Sequence, residues 1–199
     1  MVPSDSRGPS EEEKPSIPFS NLRIEPFRPT RDVESFDCDD RDLNEFLTRD
    51  QVSRYEAEGL GSTYLVFLQS QGRLVAYFTV CTDTLRVEYL RTVKTFKPLS
   101  GIQLESIPSV KIGRLAVDKR YWGRDIGTHL LHYIAGMVME TGIAARLLTL
   151  QATPRSVGFY QRMGFELTTE TRRERRRNNR TMFFDLWSHP EHGHAPPRE

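Results

Sequence analysis

The stretch from Ile112 to Leu131, Ile-Gly-Arg-Leu-Ala-Val-Asp-Lys-Arg-Tyr-Trp-Gly-Arg-Asp-Ile-Gly-Thr-His-Leu-Leu, restricts the fold of this chain more than any other. It reads as a short apolar strand, a tight turn carrying Gly123 and Gly127, and a helix with an apolar stripe. A strand that feeds a glycine-bearing turn into a helix N-terminus aims several unpaired backbone N–H groups at one point. That arrangement binds phosphate without a particular side chain. The same glycines also serve a strand-to-helix corner, where they relieve close packing. On the turn alone the two readings stay level. The dinucleotide spacing GxGxxG is absent, and so is the Gly-Lys-Ser/Thr of a P-loop.

At 199 residues the chain can hold one compact domain with tails. A net charge of +1 gives no global pull toward nucleic acid or a membrane surface, so any electrostatic bias must be local. Cys38 and Cys81 are the only cysteines, too few and too far apart for a disulfide scaffold or a thiolate metal site. There is no apolar run of membrane-spanning length and no signal-peptide core, so a soluble cytoplasmic protein is expected.

Residues 1–18 read as a disordered leader, 19–187 as one folded domain, and 188–199 as a flexible tail. Within the domain a first strand is expected over Leu22–Phe27 and a single helix over Asp40–Glu58, capped by Asp39 or Asp40 and stopped by Gly59. Thr63–Leu68 and Leu74–Thr82 form a hairpin, and Arg86–Ser106 is an irregular polar connection. Val110–Val117 is the strand before the glycine turn. Ile126, Leu130, Ile134 and Met137 then recur at helical spacing. Ala145–Leu150 reads as a central strand. Pro154–Met163 reads as a short helix with Thr153 as cap, and Phe165–Thr169 and Thr181–Trp187 as the last strands. The sum is an α/β domain on a mixed, partly antiparallel sheet.

Leu115-Ala-Val-Asp-Lys-Arg-Tyr-Trp-Gly-Arg-Asp-Ile-Gly127 resembles the acyl-CoA-binding motif of the GNAT superfamily of N-acetyltransferases, Gln/Arg-x-x-Gly-x-Gly/Ala. About thirty residues on, Phe159-Tyr160-Gln-Arg-Met-Gly164-Phe165 resembles the family's Phe-Tyr-x-x-x-Gly-Phe signature. The resemblance covers Leu22 to Trp187. It implies an α+β fold: a largely antiparallel twisted sheet with a central parallel pair and flanking helices. It implies acetyl-CoA as acyl donor, no metal, and direct attack of an amine in a ternary complex.

Carried onto this sequence, the resemblance gives a pantetheine site along Leu115, Ala116 and Val117. A pyrophosphate site follows at the backbone N–H groups of Trp122, Gly123, Arg124, Asp125, Ile126, Gly127 and Thr128, with Thr153 nearby. Tyr160 matches the tyrosine that protonates the leaving sulfur; a phenol is a protonated donor at neutral pH. Three positions depart from the pattern. Trp122 stands for Gln or Arg, Asp125 for the middle Gly, and Thr153 for a frequent Asn. Asp125 is expected to point outward and cap the helix, with Arg120 and Arg124 offsetting its charge. Glu105 and Asp118 are candidate bases, each equally readable as a surface carboxylate.

Phe36–Leu47 and Lys111–Asp118 further resemble the subgroup that includes toxins acetylating aminoacyl-tRNA. Arg172-Arg-Glu-Arg-Arg-Arg-Asn-Asn-Arg180 carries six arginines in nine residues, suited either to RNA contact or to a solvated hairpin tip. Small-molecule and protein amines stay open as acceptors, as do a catalytically weak acyl-CoA-binding regulatory module and a homodimer. His189, His192 and His194 offer no metal geometry, and His129 and His132 read as surface or packing residues.

Overall fold

Ile126, Leu130, Leu131, Ile134, Ala135 and Val138 recur every three or four residues, and the helix they form buries all six against a sheet. The computed structural model describes residues 14–29, 31–91, 93–96, 101 and 103–187. Its strands are β1 (Leu22–Pro26), β2 (Ser62–Leu68), β3 (Arg73–Arg86), β4 (Ser106–Val117), β5 (Leu147–Ala152), β6 (Glu166–Leu167) and β7 (Arg180–Asp185). They lie in the order β1-β2-β3-β4-β5-β7-β6. Every neighbouring pair is antiparallel except β4 with β5. This is the mixed sheet with one central parallel pair that the family resemblance implies.

The helices are α1 (Arg41–Thr48), α2 (Gln51–Ala57), α3 (Ile126–Glu140), α4 (Val157–Arg162) and α5 (Arg172–Arg177). Strand alternation divides the core between the two faces of the sheet. Leu148, Leu150 and Ala152 of β5 join the cluster around α3 and α4. Phe46, Leu47 and Val52 of α1 and α2 pack with Leu65, Phe67 and Tyr77 on the other face. A third cluster, Leu85, Leu90, Ile107, Leu147 and Phe183, closes the far end of that second face. Each such side chain removed from water contributes roughly 1.5–3 kcal/mol before entropy is counted.

Several elements differ from expectation. The single helix over Asp40–Glu58 is two helices, because Asp50 is left-handed at φ 56°. Thr48, Arg49 and Asp50 include two poor helix formers, and the break lets Tyr55 set its ring 5.6 Å from Phe46. Asp40, not Asp39, is the cap: its Oδ1 accepts from the Leu43 N–H at 3.1 Å.

Strands β3 and β4 are each longer than predicted. β3 and β4 continue together through Thr84↔Pro108, Leu85↔Ile107 and Arg86↔Ser106, burying Leu85 and Ile107. The short helix begins at Val157 behind Ser156, so Thr153 is the first residue of the preceding turn and not the cap. The arginine run is a helix closed by a capping box between Thr171 and Glu174, not a hairpin tip. Ile17, placed in the leader by the sequence, is buried, and its N–H donates to the Arg124 carbonyl at 3.1 Å. His189, His192 and His194 lie outside the described residues, as do 1–13 and 188–199. No helix among the described residues is long and apolar enough to cross a membrane.

Candidate active site

The parallel pairing of β4 with β5 runs from Ser109↔Leu147 to Ile112↔Leu150 and stops there. Beyond it β4 keeps its other neighbour, pairing through Val117↔Ala76, while Gln151 and Ala152 of β5 pair only with β7. The two central strands therefore part. The register on the β3 side slips where Thr79 faces Arg114 and Val80 faces Ile112, which leaves Gly113 as the extra residue of a bulge. After the bulge, the Asp118 N–H donates to the Val75 carbonyl at 2.9 Å, toward β3. Backbone direction alternates along a strand, so the N–H and C=O of Val117 and Leu115 face the gap.

A cleft of about 760 Å³ occupies this gap. Leu115 and Val117 line one side, the turn from Trp122 to Thr128 closes one end, and Ser156, Phe159 and Tyr160 line the other side. The turn contains two left-handed residues, Gly123 at φ 76° and Asp125 at φ 61°. Asp125 thus sits at a conformation that favours glycine, and aspartate is among the few other residues that tolerate it. A Cβ on Gly127 would lie 3.1 Å from Phe159 Cζ, so the glycine lets the α4 ring approach the start of α3.

The first helical N–H groups, of Ile126, Gly127 and Thr128, have no carbonyl one turn behind them. The first intrahelical bond is from His129 N–H to the Asp125 carbonyl at 3.0 Å. Tyr160 packs its ring 5.1 Å from Phe159 and 5.7 Å from Phe165. Burial pushes its phenol up to about 12, so it holds its proton throughout the neutral range.

Most of the predicted residues come together here, with exceptions. Ala116 turns its side chain to the opposite face, into the cluster with Phe46 and Tyr77. Thr153 is exposed outside the cleft, its carbonyl accepting from Ser156 and Val157. The Trp122 N–H folds back on the Lys119 carbonyl at 3.4 Å, so the outward donors begin at Gly123.

Asp125 is exposed but makes no capping bond. Arg120 does not offset its charge, because it is held by Asp118 at 2.6 Å. Arg124 does line the cleft, and its buried Nε has no hydrogen-bond partner among the described residues. The Asp118 side chain is fully buried in that ion pair, which removes it as a base, and Glu105 sits one residue before β4, at the far end of the strand. Phe159, Ser156 and Arg155 line the cleft without having been predicted to. Only the aromatic pair signature pointed toward any of them.

A second cavity of about 450 Å³ lies on the other face of the sheet. Thr149 and Gln151 reach it because they alternate with the core residues Leu148 and Leu150. Thr149 Oγ1 donates to Asp83 Oδ2 at 2.7 Å, and Lys111 and Thr181 complete the floor. Thr171 and Glu174 of the arginine-rich α5 element form its wall. The parting of β4 and β5 starts at Leu150, which borders this cavity too. Among the described residues no cluster of three or more His, Cys, Asp or Glu could hold a metal. Cys38 and Cys81 are both free thiols.

A family model described as an acetyltransferase (GNAT) domain matches residues 33–182. Among solved structures, one described as a bacterial toxin superposes with a TM-score of 0.73 at 20% identity, over 88% of this chain and 98% of its own. AtaT complexed with acetyl-methionyl-tRNAfMet superposes at 0.68 with 24% identity, over 82% and 94%. AtaTR bound with acetyl-CoA gives 0.65 and 24%, over 84% and 95%.

Proposed function

The chain belongs to the acetyltransferase (GNAT) domain family, and from that premise we propose that it moves an acetyl group from acetyl-CoA to a primary amine by direct attack. One observation carries the reading. The gap beyond Ile112↔Leu150, the helix N-terminus behind Gly123 and Asp125, and the Tyr160 phenol all open into one cleft.

Outward peptide groups of Leu115 and Val117 would hold the pantetheine arm. The N–H groups from Gly123 to Thr128 would hold the pyrophosphate, helped by the positive end of α3. The acceptor nitrogen forms its bond to the acetyl carbon as the carbon–sulfur bond breaks. Tyr160 gives its proton to the sulfur, and the proton lost by the amine returns to the phenolate through solvent. Asp125 opposes a pyrophosphate electrostatically, but its exposure lets water screen the charge.

Acetyl-CoA at a hundred times its dissociation constant should stabilise the protein by about 2.7 kcal/mol, raising the melting temperature by roughly 5–10 °C. No rise at millimolar acetyl-CoA would end the reading. A rise without thiol release against any amine would instead identify a binding module.

An observation on the other face favours one acceptor class in particular, the amino group of aminoacyl-tRNA. The polar cavity bordering the strand parting has the arginine-rich helix α5 as part of its wall, through Thr171 and Glu174, and AtaT has been seen with acetyl-methionyl-tRNAfMet. Exposed Arg172 and Arg176 are suited to pairing with phosphates. Thiol release with charged tRNA should fall with salt. The double variant Arg172→Ala/Arg176→Ala should weaken the tRNA dependence and lower the log–log salt slope by roughly 1.5, about 0.7–0.9 for each phosphate left unneutralised. Equal turnover of free amino acids and charged tRNA would exclude this acceptor.

A further inference from the structure

The Val117 carbonyl faces the gap, yet it is already occupied. Trp122 folds its side chain back across the turn, and its indole Nε1–H donates to that carbonyl at 2.8 Å. The ring is 46% exposed and lies within the cleft lining. Nothing in the hydrophobic core needs it there: Trp122 belongs to none of the three buried clusters. The backbone at Trp122 is extended, φ −61° and ψ 145°, and its indole reaches back to the end of β4. Indole is a donor only, the same role an amide N–H of a ligand would take at this carbonyl.

We propose that Trp122 is a self-occupying latch on the acyl-donor cleft, its indole N–H holding the Val117 carbonyl until the donor's amide replaces it. The proposal rests on the acetyl-CoA reading above. It assigns Trp122 a role that Gln or Arg at this position would not fill with an aromatic ring. The latch keeps a strand carbonyl satisfied in the free protein, and each donor molecule must exchange one hydrogen bond for another in order to bind. Affinity is lowered by that exchange, and a ligand lacking the amide gains nothing from opening it.

Two tryptophans make the test direct. In a Trp187→Phe background the emission reports Trp122 alone, because these are the chain's only tryptophans. Acetyl-CoA should shift that emission to longer wavelength as the indole leaves its partner for water, whereas adenosine 3′,5′-bisphosphate, which has no pantetheine, should not. Trp122→Phe retains a ring without the N–H and should bind acetyl-CoA about 3- to 10-fold more tightly by calorimetry, with a free-state melting temperature lower by roughly 1–5 °C because the same bond is lost from the free fold. Tight calorimetric binding with unmoved Trp122 emission, or an unchanged dissociation constant in Trp122→Phe, would overturn the latch while leaving the donor reading intact. Absence of calorimetric binding in both proteins would remove the donor reading and the latch with it.

Discussion

Replacing Tyr160 by phenylalanine should lower kcat on the order of 10²–10³-fold while leaving the KM for acetyl-CoA and the melting temperature near their original values. The ring of Phe fits where the tyrosine ring already packs edge-to-face with Phe159 and Phe165, so packing is preserved and only the hydroxyl with its proton is lost. The pH profile sharpens the test. Burial disfavours the phenolate, which moves the phenol upward to about 12. Below that value the group is a neutral donor, so it imposes no alkaline limb on any ordinary assay. The rate of the unaltered enzyme should therefore rise with pH as the acceptor amine loses its proton, then level off without falling. In Tyr160→Phe the same rising limb should persist at a much lower plateau. Turnover equal to that of the parent at every pH would show that another group, or water, protonates the sulfur.

What was legible in the sequence was legible for local reasons. Gly123 and Gly127 mark a turn because a positive φ and a close ring contact are demanded within a few residues of one another. The apolar period of α3 is visible because one helix face is buried along its length. Tyr160 and Gly164-Phe165 sit on one short helix and its exit, so a seven-residue window contains them. Features that depend on distant partners were not legible.

The break at Asp50 is set by where Tyr55 must go to meet Phe46, and the extra length of β3 and β4 is set by their mutual pairing. Their arms carry Asp83 and Pro108, which strands disfavour. The arginine run hides its capping box, because Thr171 and Glu174 look like loop residues until the Thr181 N–H is seen donating to Glu174 as well. Ala116 and Thr153 fail as cleft residues through pleat and turn geometry, respectively, which sequence position alone does not resolve.

Asp118 is the clearest case of a residue whose weight comes from distant partners, and its removal should be strongly destabilising. Its fully buried carboxylate accepts from the Arg120 N–H at 3.0 Å, Arg120 Nε at 2.8 Å and Nη2 at 2.6 Å, and from the Asp37 N–H at 3.2 Å. Arg120 Nη2 also donates to the Ser35 carbonyl, and the Lys119 N–H to the Asp37 carbonyl. One carboxylate thus ties the segment before α1 to the residues that lead into the glycine turn.

Asp118→Ala would leave two backbone N–H groups without their acceptor and a guanidinium with only the Ser35 carbonyl. Breaking a buried pair in this way costs roughly 3–5 kcal/mol, and the partial exposure of Arg120 (41%) moves the expectation to about 2–4. A melting temperature lower by roughly 5–15 °C follows for a chain of this size. Acetyl-CoA should also stabilise the variant less, because the turn proposed to hold its pyrophosphate is no longer held from behind.

The sign with pH is set by the carboxylate. Burial raises the Asp118 pKa, but the bonds from Arg120 and the Asp37 N–H outweigh it and hold the value below the ordinary one. Asp37, bonded to Lys119, is lowered to about 2. Groups with depressed folded values contribute stability above the unfolded carboxylate range and lose it as pH falls through the folded value. The parent should therefore weaken as pH drops from about 4 toward 2, and Asp118→Ala should show a flatter acid limb starting from a lower plateau. Parallel limbs in the two proteins would mean that the clamp at Asp118 is not what acid releases.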